Sequence, residues 1–314
     1  MDILSAILWP FKWVIELLLV SFHTLFTTFG MDKNSGVTWV LSIVGLVLVV
    51  RAALIPLFVK QIRSQRSMYL LQPDLQKLQK KYKGKTDRDS RERMAKEQME
   101  LYKKHGSSPF SSCLPLLAQM PVFFSLFSTL QEAQHSKPGV GLLSQELASS
   151  FAQSHFLGAS LSETFLTATS TSVQILAGVM IVLMTASQFI TQRQIMAKNQ
   201  SQATQNSQFA QTQKIMLYVF PIIFLISGVS FPLGVLIYWL VSNFWTMGQQ
   251  YYVIRRMPTP GSRAHDERQA RLEKKGKITE KPVDAPEEIE APQPTQRPQP
   301  VSKARAKKKP KGTK

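Results

Sequence analysis

The chain has 314 residues and carries 38 Lys and Arg against 20 Asp and Glu, a formal net charge of +18 at pH 7. Its single cysteine, Cys113, excludes an internal disulfide and any CxxC metal or redox site. Several apolar stretches approach or exceed the roughly 20 residues that span a bilayer, so the sequence predicts a polytopic membrane protein.

The N-terminal segment, residues 1–36, contains an apolar stretch that also carries Lys12 and Glu16, and it has no convincing small-residue cleavage site. It therefore lacks the form of a cleavable signal peptide. Two interpretations remain, a sixth membrane span or a helix lying in the membrane interface. Lys12 and Glu16 lie one turn apart, and Trp9 and Trp13 share their side, which is typical of an interfacial helix. We expect residues 1–36 to be external, with an interfacial amphipathic helix.

Five apolar segments follow, and the distribution of charge orients them. Residues 60–108 hold 14 Lys or Arg against 6 Asp or Glu, and residues 253–314 hold 17 against 8. The positive-inside rule places both basic segments in the cytoplasm, so the N-terminus is expected outside and the C-terminus inside. The predicted order is span 1 at 37–60, a cytoplasmic hairpin at 61–108, span 2 at 109–131, an external loop at 132–169, span 3 at 170–191, a cytoplasmic loop at 192–214, span 4 at 215–230, span 5 at 233–252 and a cytoplasmic tail at 253–314.

The cytoplasmic segment 61–108 has the pattern of two helices. Gly84 is a helix stop, and Thr86 or Asp87 can cap a second helix that ends near Gly106. Spacings of three and four between apolar residues predict an antiparallel coiled-coil hairpin that projects into the cytoplasm, where it could dock a partner or gate the membrane domain. The apolar seam of its first arm consists of Met68, Leu71, Leu75, Leu78 and Tyr82.

The tail at 253–314 is rich in proline and basic residues, and its composition predicts disorder. Its positive charge has two explanations that the sequence leaves open. The charge can set topology and attract anionic lipid headgroups, or it can contact RNA, in which case a ribosome is the obvious cytosolic partner.

Arg51 places a charge in the otherwise apolar run 37–59. At a bilayer centre an arginine costs roughly 2.5–3.5 kcal/mol on insertion scales. No Asp or Glu lies inside any predicted span to pair with it. Arg51 could snorkel to the cytoplasmic surface, but Lys60 and Arg63 already anchor that interface. We therefore expect Arg51 to face a wet cavity inside the helix bundle.

Polar residues in the other spans fit such a cavity. Gln119 lies in span 2, Thr185 and Gln188 in span 3, and Trp239 and Asn243 share one face of span 5. Hydrogen bonds between helices are the simpler explanation for Gln119 and Asn243, although such bonds average only about 0.6 kcal/mol in a membrane. The candidate groove residues are Arg51, Gln119, Gln188, Trp239 and Asn243.

Four blocks of the sequence resemble a known family, the YidC-type membrane protein insertases, which include the oxidase-assembly proteins of mitochondria and chloroplasts. The blocks stand in the family's order over about residues 9–256. A Ser108-Pro109 pair and a Ser112–Pro115 turn depart from the family's usual residues before span 2. The matching blocks are "VVRAALIPLFVKQIRSQRSMYLLQPDLQKLQKKYKG", "CLPLLAQMPVFFSLFSTL", "KIMLYVFPIIF" and "FPLGVLIYWLVSNFWTMGQQ".

The resemblance implies an all-α fold in which five transmembrane helices enclose a hydrophilic groove, with Arg51 as its signature arginine and with Gln119 and Trp239 on its wall. It implies an insertase that moves nascent membrane proteins from the cytoplasm into the lipid bilayer, alone or beside the Sec translocon and the signal-recognition pathway, without a cofactor. The expected location is a bacterial plasma membrane. The ribosome is a further expected partner of the basic tail.

Two other classes of function remain open at this point. A non-translocating assembly scaffold would share most of these features. A small-solute transporter is disfavoured, since no internal repeat is evident and no carboxylate lies within the spans. An enzyme is not expected, because the five histidines are scattered without metal-like spacing and no GxxxxGK[ST] nucleotide loop occurs.

Overall fold

The computed structural model describes residues 3–105, 114–199 and 208–276. Cys113, the turn before span 2 and residues 277–314 of the predicted tail lie outside them. The predicted all-α fold is confirmed, with one two-stranded antiparallel sheet and one isolated β-bridge, between Thr164 and Pro232, in these ranges. The elements are α1 Ile3–Thr28, α2 Gly36–Ala53, α3 Ile55–Lys81, α4 Arg88–Lys104, α5 Leu114–Gln134, α6 Gln145–Gln153, β1 His155–Phe156, β2 Ala159–Ser160, α7 Thr171–Asn199, α8 Gln208–Gly228, α9 Leu233–Arg256 and α10 Arg263–Glu273.

Long apolar helices dominate the fold. In the part of the chain that is described, four helices are long and apolar enough to cross a membrane. Two further helices, α5 and α9, occupy the positions of predicted spans 2 and 5. The four apolar segments are Ala6–Thr28, Gly36–Ala53, Thr171–Lys198 and Gln211–Gly228.

Residues 135–170 cover one end of the bundle, which we call the capped end. The first residue of α2, Gly36, lies so close to the backbone carbonyl of His155 that a Cβ atom would overlap it. One turn further, the Trp39 indole donates a 3.2 Å hydrogen bond to Ser150 Oγ on α6. The helix α2 therefore begins at the capped end, and only glycine fits its first position.

Other helices meet the same cap. The backbone amide of Leu233, the first residue of α9, donates to the Glu163 carbonyl at 3.0 Å. Leu166 N–H donates to the carbonyl of Val229, just after α8, at 3.3 Å. Since α7 follows the cap directly and α5 precedes it, the five helices alternate in direction. Helices α2, α7 and α9 begin at the capped end, and α5 and α8 end there.

The polar residues of α1 face protein. Lys12 Nζ lies 2.7 and 2.8 Å from the two carboxylate oxygens of Glu132, near the end of α5. The Glu16 carboxylate accepts hydrogen bonds from the backbone amides of Val140 and Gly141 at 2.9 and 2.7 Å. Lys12 and Glu16 are both buried. Each of the two charged side chains thus has a protein partner, and the interfacial position of α1 stays a prediction.

The contacts of α1 also define its direction. Its His23 ring packs on Trp39 of α2, with the ring centroids 4.1 Å apart, and bonds the Lys33 carbonyl at 3.0 Å. Lys12 and His23 are 11 residues apart, about 16 Å along a helix, yet both contact residues close to the capped end. Lys12 and His23 of α1 therefore both lie near the capped end, while Leu8 accepts a hydrogen bond from Ser125 in the middle of α5 and Phe22 lies against Gly45 in the middle of α2.

A single apolar core holds the cap, α1 and the bundle together. It is densest in the half of the bundle next to the cap, where bulky side chains from α1, α2, α5, α6 and α9 are fully buried. Burial of such side chains is the main favourable term in folding of the cap onto the helices. Its largest members include Leu19, Trp39, Ile43, Leu126, Phe151, Leu161 and Leu236.

The helix of predicted span 1 is interrupted at Leu54. The helix α2 ends at Ala53, and α3 begins at Ile55 and continues to Lys81 in the predicted cytoplasmic hairpin. Pro56 stands in the first turn of α3, where its missing amide removes the bond that the Ala52 carbonyl would otherwise accept. Predicted span 1 at 37–60 therefore consists of two helices that meet three residues after Arg51.

The helices α3 and α4 form the predicted helical hairpin. Gly84, with a φ of 83°, ends the first arm, and Asp87 caps the second by accepting the Ser90 amide at 2.8 Å. Near the turn, Lys81 Nζ bonds the Glu97 carboxylate at 2.8 Å. The buried contact between the arms comprises Met68, Leu71, Leu75 and Tyr102, with Leu101 packed against them.

Two helices extend into the segment 253–314, which was expected to be disordered. The helix α9 continues to Arg256 because Val253 and Ile254 are buried, and α10 follows a turn at Ser262. Residues 1–270 form one compact unit and residues 271–314 a second. Within the first unit, Lys198 Nζ lies 3.1 Å from the Glu267 carboxylate, so the end of α7 contacts α10.

Candidate functional site

A cavity of about 400 Å³ lies between α2, α5, α7, α8 and α9. The structure brings all five candidate groove residues to its wall. Thr185, which also belongs to the polar residues of span 3, is not part of the lining. The lining residues are Arg51, Gln119, Met120, Phe123, Met184, Gln188, Phe224, Tyr238, Trp239, Ser242, Asn243 and Thr246.

The helix α9 supplies most of the polar wall. Residues three and four positions apart share a helix face, and this spacing turns Trp239, Asn243 and Thr246 toward the cavity together with Tyr238 and Ser242. Helices α2, α5 and α7 each add one polar side chain, Arg51, Gln119 and Gln188 respectively. The cavity is therefore polar on the side of α9 and α2 and apolar where Met and Phe side chains line it.

Arg51 has no carboxylate partner among the described residues, because no Asp or Glu there lies within ion-pair distance of its guanidinium. Its guanidinium carbon lies 5.8 Å from the centroid of the Phe58 ring, and Tyr238 shares the cavity wall with it. A cation that faces an aromatic ring and a hydroxyl keeps most of its capacity to attract an anion.

Hydrogen bonds between helices hold two of the cavity residues. Gln119 Nε2 donates to the Tyr238 hydroxyl at 2.7 Å, which joins α5 to α9. Asn243 Nδ2 donates to the Met184 carbonyl at 3.3 Å, which joins α9 to α7. The simpler explanation of Gln119 and Asn243 as interhelical contacts thus holds in the structure, and it coexists with their place on the cavity wall. The Gln119 carbonyl oxygen is buried and has no partner in the described part of the chain.

An aromatic cluster closes the cavity toward the capped end. The Trp239 ring lies 5.0 Å from Phe123, 5.1 Å from Phe224 and 5.2 Å from Phe231, measured between centroids. Phe231 precedes α9 at the capped end, and it packs edge-on against Phe127 at 5.8 Å. Trp239 therefore forms the floor of the cavity, and the polar residues Asn243 and Thr246 lie further from the cap.

Sequence reasoning missed three polar lining residues, Tyr238, Ser242 and Thr246, of which Tyr238 makes a hydrogen bond across the cavity wall. A tyrosine in an apolar helix is usually assigned to packing or to the aromatic belt, so its hydroxyl did not count as a polar group of the bundle. The signal that could have found it is its place four residues before Ser242, on the face shared with Trp239. No group of three or more His, Cys, Asp or Glu that could hold a metal occurs in the described ranges.

The arrangement suits a polar or anionic group. Among the described residues, a cation without a carboxylate partner, amide and hydroxyl groups and the unpaired side-chain oxygen of Gln119 line a space that holds several waters or a short polar segment. The helices that carry these groups expose apolar side chains outward, for example Val182 on α7 and Ile223 on α8. A polar pocket thus lies beside surfaces that suit lipid.

The sequence of this chain is similar to those of known membrane proteins. The family model of the 60Kd inner membrane protein matches residues 30–260. The membrane protein insertase YidC of Streptomyces avermitilis is 46% identical over 283 residues, covering 87% of this chain and 63% of that protein. The YidC of Tropheryma whipplei strain Twist is 44% identical over 281 residues, covering 86% of this chain and 91% of that protein.

More distant relatives match over a similar range. YidC of Mycobacterium tuberculosis strain H37Rv is 34% identical over 281 residues, covering 80% of this chain and 72% of that protein. A solved structure of an active YidC insertase with its first transmembrane domain resolved is 23% identical to this chain, with a TM-score of 0.47. The alignment covers 80% of this chain and 47% of the chain in that structure. By its family model and its relatives, this chain belongs to the YidC family of multi-pass inner-membrane insertases.

Proposed function

We propose that this chain moves nascent membrane proteins from the cytoplasm into the bilayer and that the polar cavity receives the segment that must cross. The observation that carries this proposal is Arg51, a cation in the cavity wall without a carboxylate partner among the described residues. A charge used only to hold helices together would be paired. A charge left available can attract an anionic group that passes through.

The proposed mechanism lowers an electrostatic barrier. A membrane segment arrives with a short polar flank that is often acidic, and each acidic residue costs roughly 2.5–3.5 kcal/mol at the centre of an apolar helix on insertion scales. A wet cavity that reaches part of the way through the bilayer shortens the low-dielectric path. Arg51 supplies a temporary counter-charge, and Gln119 and Asn243 offer amide groups beside it.

The hydrophobic effect drives the step to completion. While the polar flank occupies the cavity, the apolar segment moves along the outward surfaces into lipid. This transfer lowers the free energy by about 25 cal/mol for each Å² of apolar surface removed from water. No covalent bond is made or broken in this scheme, and neither a nucleotide nor a metal ion is required.

We also propose an orientation. The basic hairpin α3–α4 and the basic tail lie in the cytoplasm, and the capped end lies outside. Because Lys12 and His23 of α1 contact Glu132 and Trp39 near the capped end, we place the N-terminus outside as well. The cavity residues lie beyond the Trp239 floor as seen from the cap, so the peptide enters from the cytoplasmic side.

The proposed partners follow from this orientation. The Sec translocon and the signal-recognition pathway would deliver part of the clients, and the basic tail would contact the ribosome. Residues 253–314 carry 17 Lys or Arg against 8 Asp or Glu, which fits binding to RNA or to anionic lipid. Deletion of residues 277–314 should weaken ribosome co-sedimentation in a salt-dependent manner, whereas unchanged binding would leave only the lipid role.

Reconstitution tests the proposed activity directly. The purified chain is placed in liposomes and given a short single-span substrate, and protease protection of the substrate's flank is measured. Insertion above that of protein-free liposomes supports the insertase. If the substrate binds but its flank is not protected, the chain acts as a scaffold that holds membrane subunits without moving them.

A further inference from the structure

Two leucines at the capped end are exposed without belonging to the cavity or the core. Leu157 is 74% exposed and Leu166 is 67% exposed, which are among the highest values for large apolar residues in the described part of the chain. Single exposed apolar residues are common on protein surfaces. These two differ because ordered backbone presents each of them.

Leu157 occupies the tip of the β-hairpin. The pairing of Phe156 with Ala159 leaves Leu157 and Gly158 as a two-residue turn, and both have positive φ values, 52° and 77°. Such turns favour Asn-Gly or Asp-Gly, because a residue with a Cβ is strained at positive φ. A leucine at this position raises the conformational energy of the backbone and exposes an apolar side chain. We therefore expect Leu157 to contact surroundings that offset both costs.

Leu166 lies in a second ordered loop. Thr164 and Thr167 bond each other's backbone amides through their hydroxyls at 3.0 and 3.1 Å. The Leu166 amide donates to Val229 at 3.3 Å. The loop is thus fixed on both sides of Leu166, whose side chain points outward.

Both leucines continue surfaces that face lipid. Gly158, next to Leu157, lies against Ser172 at the start of α7, and Val229, the partner of Leu166, follows α8 directly. Three residues after Ser172, Ile175 is 63% exposed, and Ile226 at the end of α8 is 66% exposed. In a membrane protein these two helix faces contact acyl chains, and the leucines extend them at the capped end.

The charge of this region also favours lipid. Residues 155–171 contain no Lys or Arg and a single acidic residue, Glu163. Its carboxylate is bonded to the amide and the hydroxyl of Thr169, each at 3.0 Å. The segment that carries the leucines therefore has no Lys or Arg, and its one carboxylate is already hydrogen-bonded.

We propose that Leu157 and Leu166, the leucine pair, insert into the headgroup–acyl boundary of the leaflet at the capped end and anchor the cap on lipid. Apolar side chains on an otherwise polar element bind membrane interfaces in this way, and burial of the leucines in lipid offsets the cost of the Leu157 turn. The inference needs only that the chain spans a membrane, so it stands or falls independently of the proposed insertion activity.

Site-directed spin labelling tests the leucine pair. In a Cys113→Ser background, Leu157→Cys and Leu166→Cys are each labelled with a nitroxide in vesicles of phosphatidylethanolamine and phosphatidylglycerol. Collision rates with oxygen, which partitions into lipid, and with a water-soluble nickel chelate are then compared. Ile226→Cys serves as the lipid-facing control, and Lys137→Cys, exposed in the same cap, as the aqueous control.

The ratio of oxygen to nickel collisions at both leucine positions should approach that of position 226 and exceed that of position 137 several-fold. A ratio equal to that of position 137 at both positions would overturn the proposal, whether the pair then faces water or awaits a protein partner. A helical circular dichroism spectrum like the parent's shows that each labelled protein is folded, and the two positions provide independent readings.

Discussion

The Gln119 amide nitrogen donates a 2.7 Å hydrogen bond to the Tyr238 hydroxyl, which joins α5 to α9 at the wall of the cavity. Arg51 and the same tyrosine line one cavity. One tyrosine thus orients the amide group and borders the cation that we propose to meet the substrate. The geometry of the polar wall depends on it.

Tyr238→Phe tests this dependence. Loss of the hydroxyl leaves the Gln119 amide without its partner, so we expect insertion in liposomes to slow several-fold. The stability cost should stay below about 1 kcal/mol, since interhelical hydrogen bonds in membranes average about 0.6 kcal/mol. Tyr218→Phe on the outward face of α8 is the matched control and should insert at the parent rate. A normal rate for Tyr238→Phe would show that the hydroxyl does not organise the site.

The ion pair between Lys12 and Glu132 should stabilise the docking of α1. The Lys12 side chain is only 10% exposed and that of Glu132 35%, so Lys12→Ala leaves a poorly solvated carboxylate. We expect a loss of about 1–3 kcal/mol in the free energy of unfolding, between the values for exposed and fully buried pairs. Unfolding in denaturant, followed in detergent, provides the measurement.

Lys33→Ala is the control for Lys12→Ala. It removes an ion pair with Glu146 in which both side chains are more than half exposed, and such pairs contribute little. Equal destabilisation by the two variants would mean that burial of the Lys12 pair has no energetic consequence.

Gly36→Ala should destabilise the cap. A Cβ atom at this position overlaps the His155 carbonyl, which is backbone and cannot rotate away. We expect a cost of about 1–3 kcal/mol, as for other overpacked sites, together with earlier proteolysis of residues 135–170. Gly248→Ala in α9 has open space around it and should be neutral or slightly stabilising. If Gly36→Ala melts like Gly248→Ala, the close approach of β1 to α2 is wrong.

The helical hairpin should loosen at acidic pH. Hydrogen bonds from Lys81 and then from Tyr82 hold the pKa of Glu97 below its ordinary value. A carboxylate with a lowered pKa in the folded state stabilises at pH above its unfolded pKa of about 4.3, and this contribution disappears as pH falls through the lowered value. Hydrogen exchange of residues 80–100 should therefore accelerate as the pH falls from 5 toward 3.

Glu97→Gln separates this effect from general acid unfolding. The variant lacks the titrating group, so its hairpin should exchange faster at neutral pH and show a weaker dependence on acid than the parent. Glu100→Gln, which removes a neighbouring carboxylate of α4, serves as the control. If hydrogen exchange in Glu97→Gln accelerates with acid as it does in the parent, a group other than Glu97 causes the loosening of the hairpin.

The cavity was predictable because its members are polar residues in apolar surroundings. Arg51, Gln188 and Asn243 stand out in any apolar span, and the cost of burying them predicts that they meet. Trp239 was found from its spacing to Asn243. Tyr238 was missed, because by residue type alone a tyrosine that bonds inside a bundle resembles one that packs or faces the interface, and only its spacing to Ser242 marks it.

Contacts between distant elements could not be predicted in this way. The sequence shows that Lys12 and Glu16 are polar, but not that Glu132 and the cap amides are within reach. The interruption at Leu54 depends on Pro56, whose place in an apolar run is equally compatible with a kinked continuous helix. These features follow from tertiary packing, which local periodicity does not encode.

The most direct test of the proposed mechanism asks whether the need for Arg51 in insertion depends on the charge of the substrate's flank. Insertion of single-span substrates with an acidic, a neutral or a basic flank is measured in liposomes for the parent, Arg51→Lys and Arg51→Ala. The account predicts that Arg51→Ala loses insertion of the acidic-flank substrate, that it retains insertion of the neutral and basic ones, and that Arg51→Lys keeps part of the activity. Equal insertion of the acidic-flank substrate by the parent and Arg51→Ala would contradict the role of Arg51 as a counter-charge.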